Sequence, residues 1–255
     1  VLAREPAAHG TNIPGGATLE HVLVHSPLSE RRLSMLAEAL ASAIDADAGA
    51  VGYVLEIGSV SAAFSRKLAT IAAAAGASLV IAEPREQPRR ALEIAFERDA
   101  HVIVVDPAKL TDGHVADIVV ASGDQSQYLM RHNDDIKRIV RTVAGRGARL
   151  LLADRAPSAF NDFVFGLSEG WFADSQSPEF PVGRLGTREQ IADLLGSLGF
   201  AKPFVRERIF PEGALVTASA VSESQLAAIT ATDAAEPIVL LSEQGRKDLG
   251  KLGKN

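Results

Sequence analysis

The residues of this chain best placed to do chemistry lie in the run Val54-Leu55-Glu56-Ile57-Gly58-Ser59-Val60-Ser61-Ala62. An apolar strand that runs through an acid to a glycine is how a nucleotide-binding turn begins. Glycine there lets the main chain approach a ligand with no Cβ in the way, and it adopts positive φ at little cost. The second and third glycines of such a turn would stand at Val60 and Ala62, and neither is glycine. A β-branched valine tolerates positive φ poorly, and its isopropyl group points into space that a ligand needs. Either the loop has another shape or the nucleotide is excluded.

Around this turn the chain alternates strand and helix, the signature of a parallel sheet with crossover helices. Strands are expected at Tyr53 to Ile57, Ser78 to Ala82, His101 to Val105, Asp117 to Ala121 and Arg149 to Ala153. Thr18 to His25 reads as a short helix. Ser26-Pro27 then offers an N-cap and a first-turn proline for a helix with Leu33, Leu36, Leu40 and Ile44 on one face. Phe64, Leu68, Ile71 and Ala72 mark a helix ended by Gly76, Arg89 to Phe96 the core of another, and Asp134 to Val143 a third. Thr187-Arg188-Glu189-Gln190 forms a capping box for a helix through Leu198. Phe204 to Phe210 and Ala214 to Ala220, separated by Pro211-Glu212-Gly213, close the sheet as an antiparallel hairpin.

Composition narrows the function classes. The 255 residues are 47% hydrophobic, enough for a full core, and carry a net charge of -6 with no basic run, which argues against a nucleic-acid surface. No apolar run reaches the roughly 20 residues that a membrane helix needs, so a soluble, cytoplasmic domain is expected. The absence of cysteine removes thiolate nucleophiles and cysteine zinc sites, and it agrees with a reducing compartment. The six histidines are scattered without metal-site spacing. Basic residues gather at Arg31-Arg32, at Arg85 with Arg89-Arg90, and at Lys137-Arg138 with Arg141, and are read as solvated helix faces. Beginning at Val1, the chain reads as a piece of a longer polypeptide, with residues 1-17 a linker, 18-220 the domain, and 221-255 a linker toward a following domain.

The glycine turn, the strand order and two further segments resemble class I S-adenosylmethionine (SAM) methyltransferases, which have a Rossmann-like α/β fold. Leu19-Glu20-His21-Val22 with Ser26-Pro27 is similar to the start of the methyltransferase domains embedded in type I polyketide synthases. Asp162-Phe163-Val164-Phe165-Gly166-Leu167-Ser168-Glu169-Gly170-Trp171 closely resembles their D-x-V-F-G-L-T-E-G-W segment after the fifth strand. The resemblance runs from about Thr18 to Ala220 and extends to the pseudo-methyltransferase domain of animal-type fatty acid synthase. It implies C-methyltransferase ancestry, between the dehydratase and the reductases of a megasynthase.

Active members of that family methylate the α-carbon of a β-ketoacyl thioester, with a histidine after the fourth strand as base and a glutamate at the end of the fifth to assist it. Here Ala121-Ser122-Gly123-Asp124-Gln125-Ser126-Gln127 puts Gln125 at the histidine position, with Gln127 reached by a small slip; an amide is no base near neutral pH. Ala153 stands where the glutamate belongs, beside Asp154. Three elements of the site are thus replaced. What the resemblance retains as vestigial cofactor contacts is Glu56, Gly58, Ser59, Glu83 for the ribose hydroxyls and Asp106 for the adenine amine. Each carboxylate has an ordinary alternative: a strand-end cap at Glu56, a solvated turn at Glu83, and an Asp-Pro turn start at Asp106. Phe160, Phe163, Val164, Phe165, Leu167, Trp171 and Phe172 either line an acyl tunnel or pack a helix onto the core.

The expected function is therefore a catalytically inactive methyltransferase-like domain with a structural role in a type I polyketide or fatty acid synthase, binding no cofactor and no metal. Its partners would be the neighbouring domains of the same polypeptide, with acyl carrier protein steered by a patch such as Arg31-Arg32 as a weaker addition. The alternative is an active SAM-dependent C-methyltransferase that uses Asp124 or Asp154 as base.

Overall fold

The computed structural model describes residues 12–13, 17–18, 26–46, 51–110, 116–122, 124–155, 157–166, 171–172, 183, 185–200, 204–207 and 214–219. Seven strands form one sheet: β1 (Tyr53–Ile57), β2 (Ser78–Ala82), β3 (Val102–Val105), β4 (Ile118–Ser122), β5 (Arg149–Asp154), β6 (Phe204–Glu207) and β7 (Ala214–Ser219). Their order is β3-β2-β1-β4-β5-β7-β6. The first five are parallel, and β7 runs antiparallel to both β5 and β6. The order reverses between β1 and β4, and at such a switch point the carboxyl ends of the strands open a crevice for ligands.

Side-chain alternation along the strands sorts the core into two layers. Leu55, Ile57, Val80, Val119 and Leu150 face one layer, against α4 (Asp124–His132), α5 (Asp134–Ala144) and α7 (Arg188–Ser197). Val54, Leu79, Ile81, Val120 and Leu151 face the other, against α1 (Pro27–Ala46), α2 (Ala62–Ala74) and α3 (Glu86–Ala95). The same alternation turns Glu56 toward the α1 and α2 side.

Helix ends follow the expected chemistry. Ser26 Oγ accepts from Ser29 N at 3.3 Å at the start of α1. Thr187 and Gln190 exchange both bonds of a capping box, and left-handed Gly76 and Gly199 follow α2 and α7. Asp117 Oδ2 braces the start of β1 by accepting from Gly52 N at 2.7 Å and Tyr53 N at 3.1 Å.

One sequence expectation changes. Thr18 pairs with Asn12 in a two-residue antiparallel bridge instead of opening a helix, while 19–25 lie outside the described residues. Asp124–His132 forms a helix of its own, α4, and Asn133 caps α5 by accepting from Ile136 N at 2.9 Å. The first hairpin strand is described only as far as Glu207, and the tail from 221 onward lies outside the described residues. Among the described residues no helix is long and apolar enough to cross a membrane.

Helix α1 precedes the alternating unit yet belongs to its core, since Leu36 and Leu40 are fully buried. Leu36→Ala is expected to lower unfolding free energy by about 3 kcal/mol, the usual scale for a fully buried leucine that leaves a cavity. Urea denaturation measures this; a loss under about 1 kcal/mol would mean that α1 is not integral to the fold.

Candidate nucleoside site at the strand ends

Gly58 keeps the geometry a nucleotide turn requires, with φ +59°. A Cβ there would sit 2.7 Å from Leu129 Cδ1, so both conformation and space demand glycine. The rest of the loop closes on itself. Val60 and Ala62 are half-buried against the α1/α2 core layer. Ser61 caps α2 by accepting from Phe64 N at 3.1 Å. The Ser59 and Ser65 hydroxyls share a 2.7 Å hydrogen bond, and Gly58 N donates to Ala82 O at 3.0 Å. The missing glycines are thus replaced by residues that fasten the loop to its own helix and core.

Glu83, immediately past β2, is fully buried. Its Oε1 accepts from Arg85 Nε at 2.8 Å and Arg85 N at 3.0 Å; its Oε2 accepts from Arg85 Nη2 at 2.8 Å and Ser59 N at 3.3 Å. An ionised carboxylate offers about four lone-pair sites, so every one is used within the chain. The fork is the bidentate geometry that makes an arginine–carboxylate pair strong. Next to it, Arg89 donates to the carbonyls of Glu83 at 3.0 Å and Pro84 at 3.1 Å and pairs with Asp106 Oδ2 at 3.4 Å. Asp106 Oδ1 meanwhile accepts from Ala108 N at 3.1 Å, starting a 3-10 turn at Pro107–Lys109. The solvated-turn reading of Glu83 is therefore corrected, and so is the solvated-face reading of Arg85 and Arg89, because both arginines reach back onto strand-end carboxylates.

Glu56 is the opposite case. It is fully buried, and neither carboxyl oxygen has a hydrogen-bond partner among the described residues. Burial pushes its carboxyl up to about 8; the nearby Ser65 hydroxyl opposes the rise and the neighbouring Glu83 adds to it. With its carboxyl raised to about 8, Glu56 stands near neutral pH as a protonated acid. It does not cap strand-end amides, which corrects that alternative.

At the other side of the switch point α4 seals the end of β1, with Ser126 Oγ donating to Ile57 O at 2.6 Å. Gln127 is fully buried, and its Oε1 accepts from Gly186 N at 3.3 Å and Arg131 Nη2 at 3.1 Å, tying α4 to the segment that enters α7. His132 is exposed and its ring lies 4.6 Å from that of Tyr128. Ala153 is buried in the α1/α2 layer, paired in register with Ser122. Gln125 lies in α4 and Asp154 in β5, but the side chains of Asp124, Gln125 and Asp154 lie outside the described residues.

The aromatic segment after β5 packs as a small separate cluster of Phe165, Trp171 and Leu185 with Phe172 against it. Asp162 Oδ1 accepts from Trp171 Nε1 at 2.9 Å, and the Arg155 guanidinium lies 3.9 Å over Phe165. Phe163 is 87% exposed. The side chains of Phe160, Val164 and Leu167 lie outside the described residues. Sequence reasoning missed Arg85, Ser65 and Ser126; the available signal was an arginine two residues after a strand-end acid and serines spaced six apart across the helix start.

Solved structures with a similar fold include the CurJ carbon methyltransferase (TM-score 0.62, 16% identity, 80% of this chain and 57% of that one). The citrinin polyketide synthase CMeT domain is another (TM-score 0.61, 18% identity, 78% and 55%). A third is the trans-methyltransferase CalH in complex with SAH (TM-score 0.54, 19% identity, 81% and 63%). The chain spans less than two thirds of the length of each. No protein-family profile matches it, and no curated protein matches it by sequence. The fold is the class I SAM-methyltransferase fold.

Glu56 gives stability a pH dependence of definite sign. Its carboxyl titrates at 4.5 unperturbed and at about 8 in the fold. Its stability contribution is fully present below the lower value and is lost as pH rises toward the higher one. The slope is about 1.4 kcal/mol per pH unit for one group. Urea denaturation across about pH 5 to 8 should show this decline, and Glu56→Gln should remove it. An identical slope in the variant would assign the proton elsewhere.

Proposed function

We propose that this chain is a catalytically silent methyltransferase-like domain of a type I polyketide or fatty acid synthase, cytoplasmic and retained for packing against neighbouring domains of the same polypeptide. The observation that carries this reading is Glu83, whose acceptor sites are filled by Ser59 and Arg85. The residues present do not fit a bound SAM. The ribose would need the occupied carboxylate, and the turn beside it is fastened to its own helix through Ser59, Ser61 and Ser65. The fold shared with the CurJ and citrinin synthase methyltransferase domains supports the synthase context, together with the Asp162 to Trp171 run. Docking of an acyl carrier protein at Arg31-Arg32 draws less support, because Arg32 is only 7% exposed.

One observation favours the alternative of an active C-methyltransferase. Glu56 is a buried, proton-holding acid, and such groups concentrate at working sites. Calorimetric titration with SAM, and incubation with SAM and a β-ketoacyl carrier protein followed by mass spectrometry, separate the two. The proposal expects no saturable heat and no gain of a methyl mass. Low-micromolar binding or a methylated product would replace it with the enzyme.

A further inference from the structure

We infer that Arg85 is an internal competitor for ribose: its guanidinium occupies the Glu83 acceptor sites that the vicinal hydroxyls of a nucleoside would use, so nucleosides are excluded by a latch laid over a retained seat. The inference rests on the preceding reading that this site is filled from within, and it names the residue that fills it.

The position of Glu83 is that of a ligand contact. It follows β2 on the crevice side of the switch point, about where doubly wound folds place the acid that meets a ribose hydroxyl. Of the four hydrogen bonds it receives, two come from main-chain amides, Ser59 N and Arg85 N, which belong to the loop and would remain with a ligand bound. The other two come from the Arg85 fork, one to each oxygen. Two adjacent hydroxyls are likewise two donors, and would need those same two positions.

Arg85 is the N-cap residue of α3 and makes no side-chain cap hydrogen bond. Serine, threonine, aspartate and asparagine are the residues that cap well, and a cation at a helix N-terminus opposes the helix dipole. The fork onto Glu83 is what offsets both disadvantages. Arg89 reinforces the arrangement by holding the carbonyls of Glu83 and Pro84 and the Asp106 carboxylate, which fixes the segment that carries the latch. The Arg85 side chain is 37% exposed, whereas Glu83 beneath it is sealed, so the guanidinium covers the carboxylate from the solvent side.

Arg85→Ser removes the fork while supplying a good helix cap, and water can reach the vacated side. With adenosine as probe, saturation-transfer NMR and calorimetry should show no binding to the parent chain and saturable binding to the variant. The gain should be about tenfold or more, as two hydrogen bonds to a charged acceptor imply. It should vanish with 2′,3′-dideoxyadenosine, which lacks both donors, and Arg85→Lys, which keeps a cation without the fork, should fall between. A folded Arg85→Ser chain as blind to adenosine as the parent overturns the latch, as does equal binding of the dideoxy compound. Should Arg85→Ser fail to fold, the Arg85→Lys comparison decides by the same criteria. The preceding reading fails separately, through SAM binding or turnover by the unaltered chain.

Discussion

A carboxylate buried at the end of a parallel strand must collect hydrogen bonds from somewhere, because an unpaired charge in the interior costs several kcal/mol or more. In this chain Glu83 collects them all internally. Two come from the backbone of its own crevice and two from one arginine. That saturation organises the rest of the site: it pins Ser59 and hence the glycine turn, turns Arg85 away from helix capping, and leaves Arg89 to bind Asp106. The carboxylates after β2 and β3 are thereby occupied by α3 arginines, while the loop between β1 and α2 is closed by Ser59, Ser61 and Ser65.

Glu56, on the adjacent strand β1, follows a different logic. It shares the buried α1/α2 side of the sheet, where burial outweighs the nearby Ser65 hydroxyl and Glu83 contributes repulsion. The two acids therefore divide the roles: one is kept buried by a complete set of donors, the other by holding a proton. On the far side of β1 the start of α4 is tied down in the same spirit. Ser126 takes the last carbonyl of β1, and Gln127 becomes a tie between α4 and the segment entering α7. A glutamine that accepts from a backbone amide and an arginine is a structural link, and its amide does not act as a base.

The sequence made the scaffold readable because its signals are local and periodic. Short apolar runs alternating with helical patterns pointed to the five parallel strands, Ser26-Pro27 and Thr187 to Gln190 announced two helix starts, and Gly58 marked the turn that positive φ requires. Helix α4 escaped notice because Asp124 to Gln127 is polar, and its buried anchors, Ser126, Gln127 and Met130, do not read as an apolar face. The arginine fork was equally invisible: a side chain reaching back two residues to a strand-end acid leaves no periodicity, and a basic residue beside others looks like a solvated surface. The replaced glycines were readable, but not their consequence, that Val60 turns into the core layer.

The most direct test of this account is the state of the Arg85 side chain in solution. In nitrogen-edited NMR spectra near neutral pH, a guanidinium clamped on both Glu83 oxygens should show a slowly exchanging Nε proton and separate Nη signals from hindered rotation. The signal is assigned by its loss in Arg85→Lys, and Arg90, 71% exposed, serves as the internal reference. Exchange and rotation at Arg85 as fast as at Arg90 would mean that Glu83 is not held by this residue, and the closed site described here would be wrong.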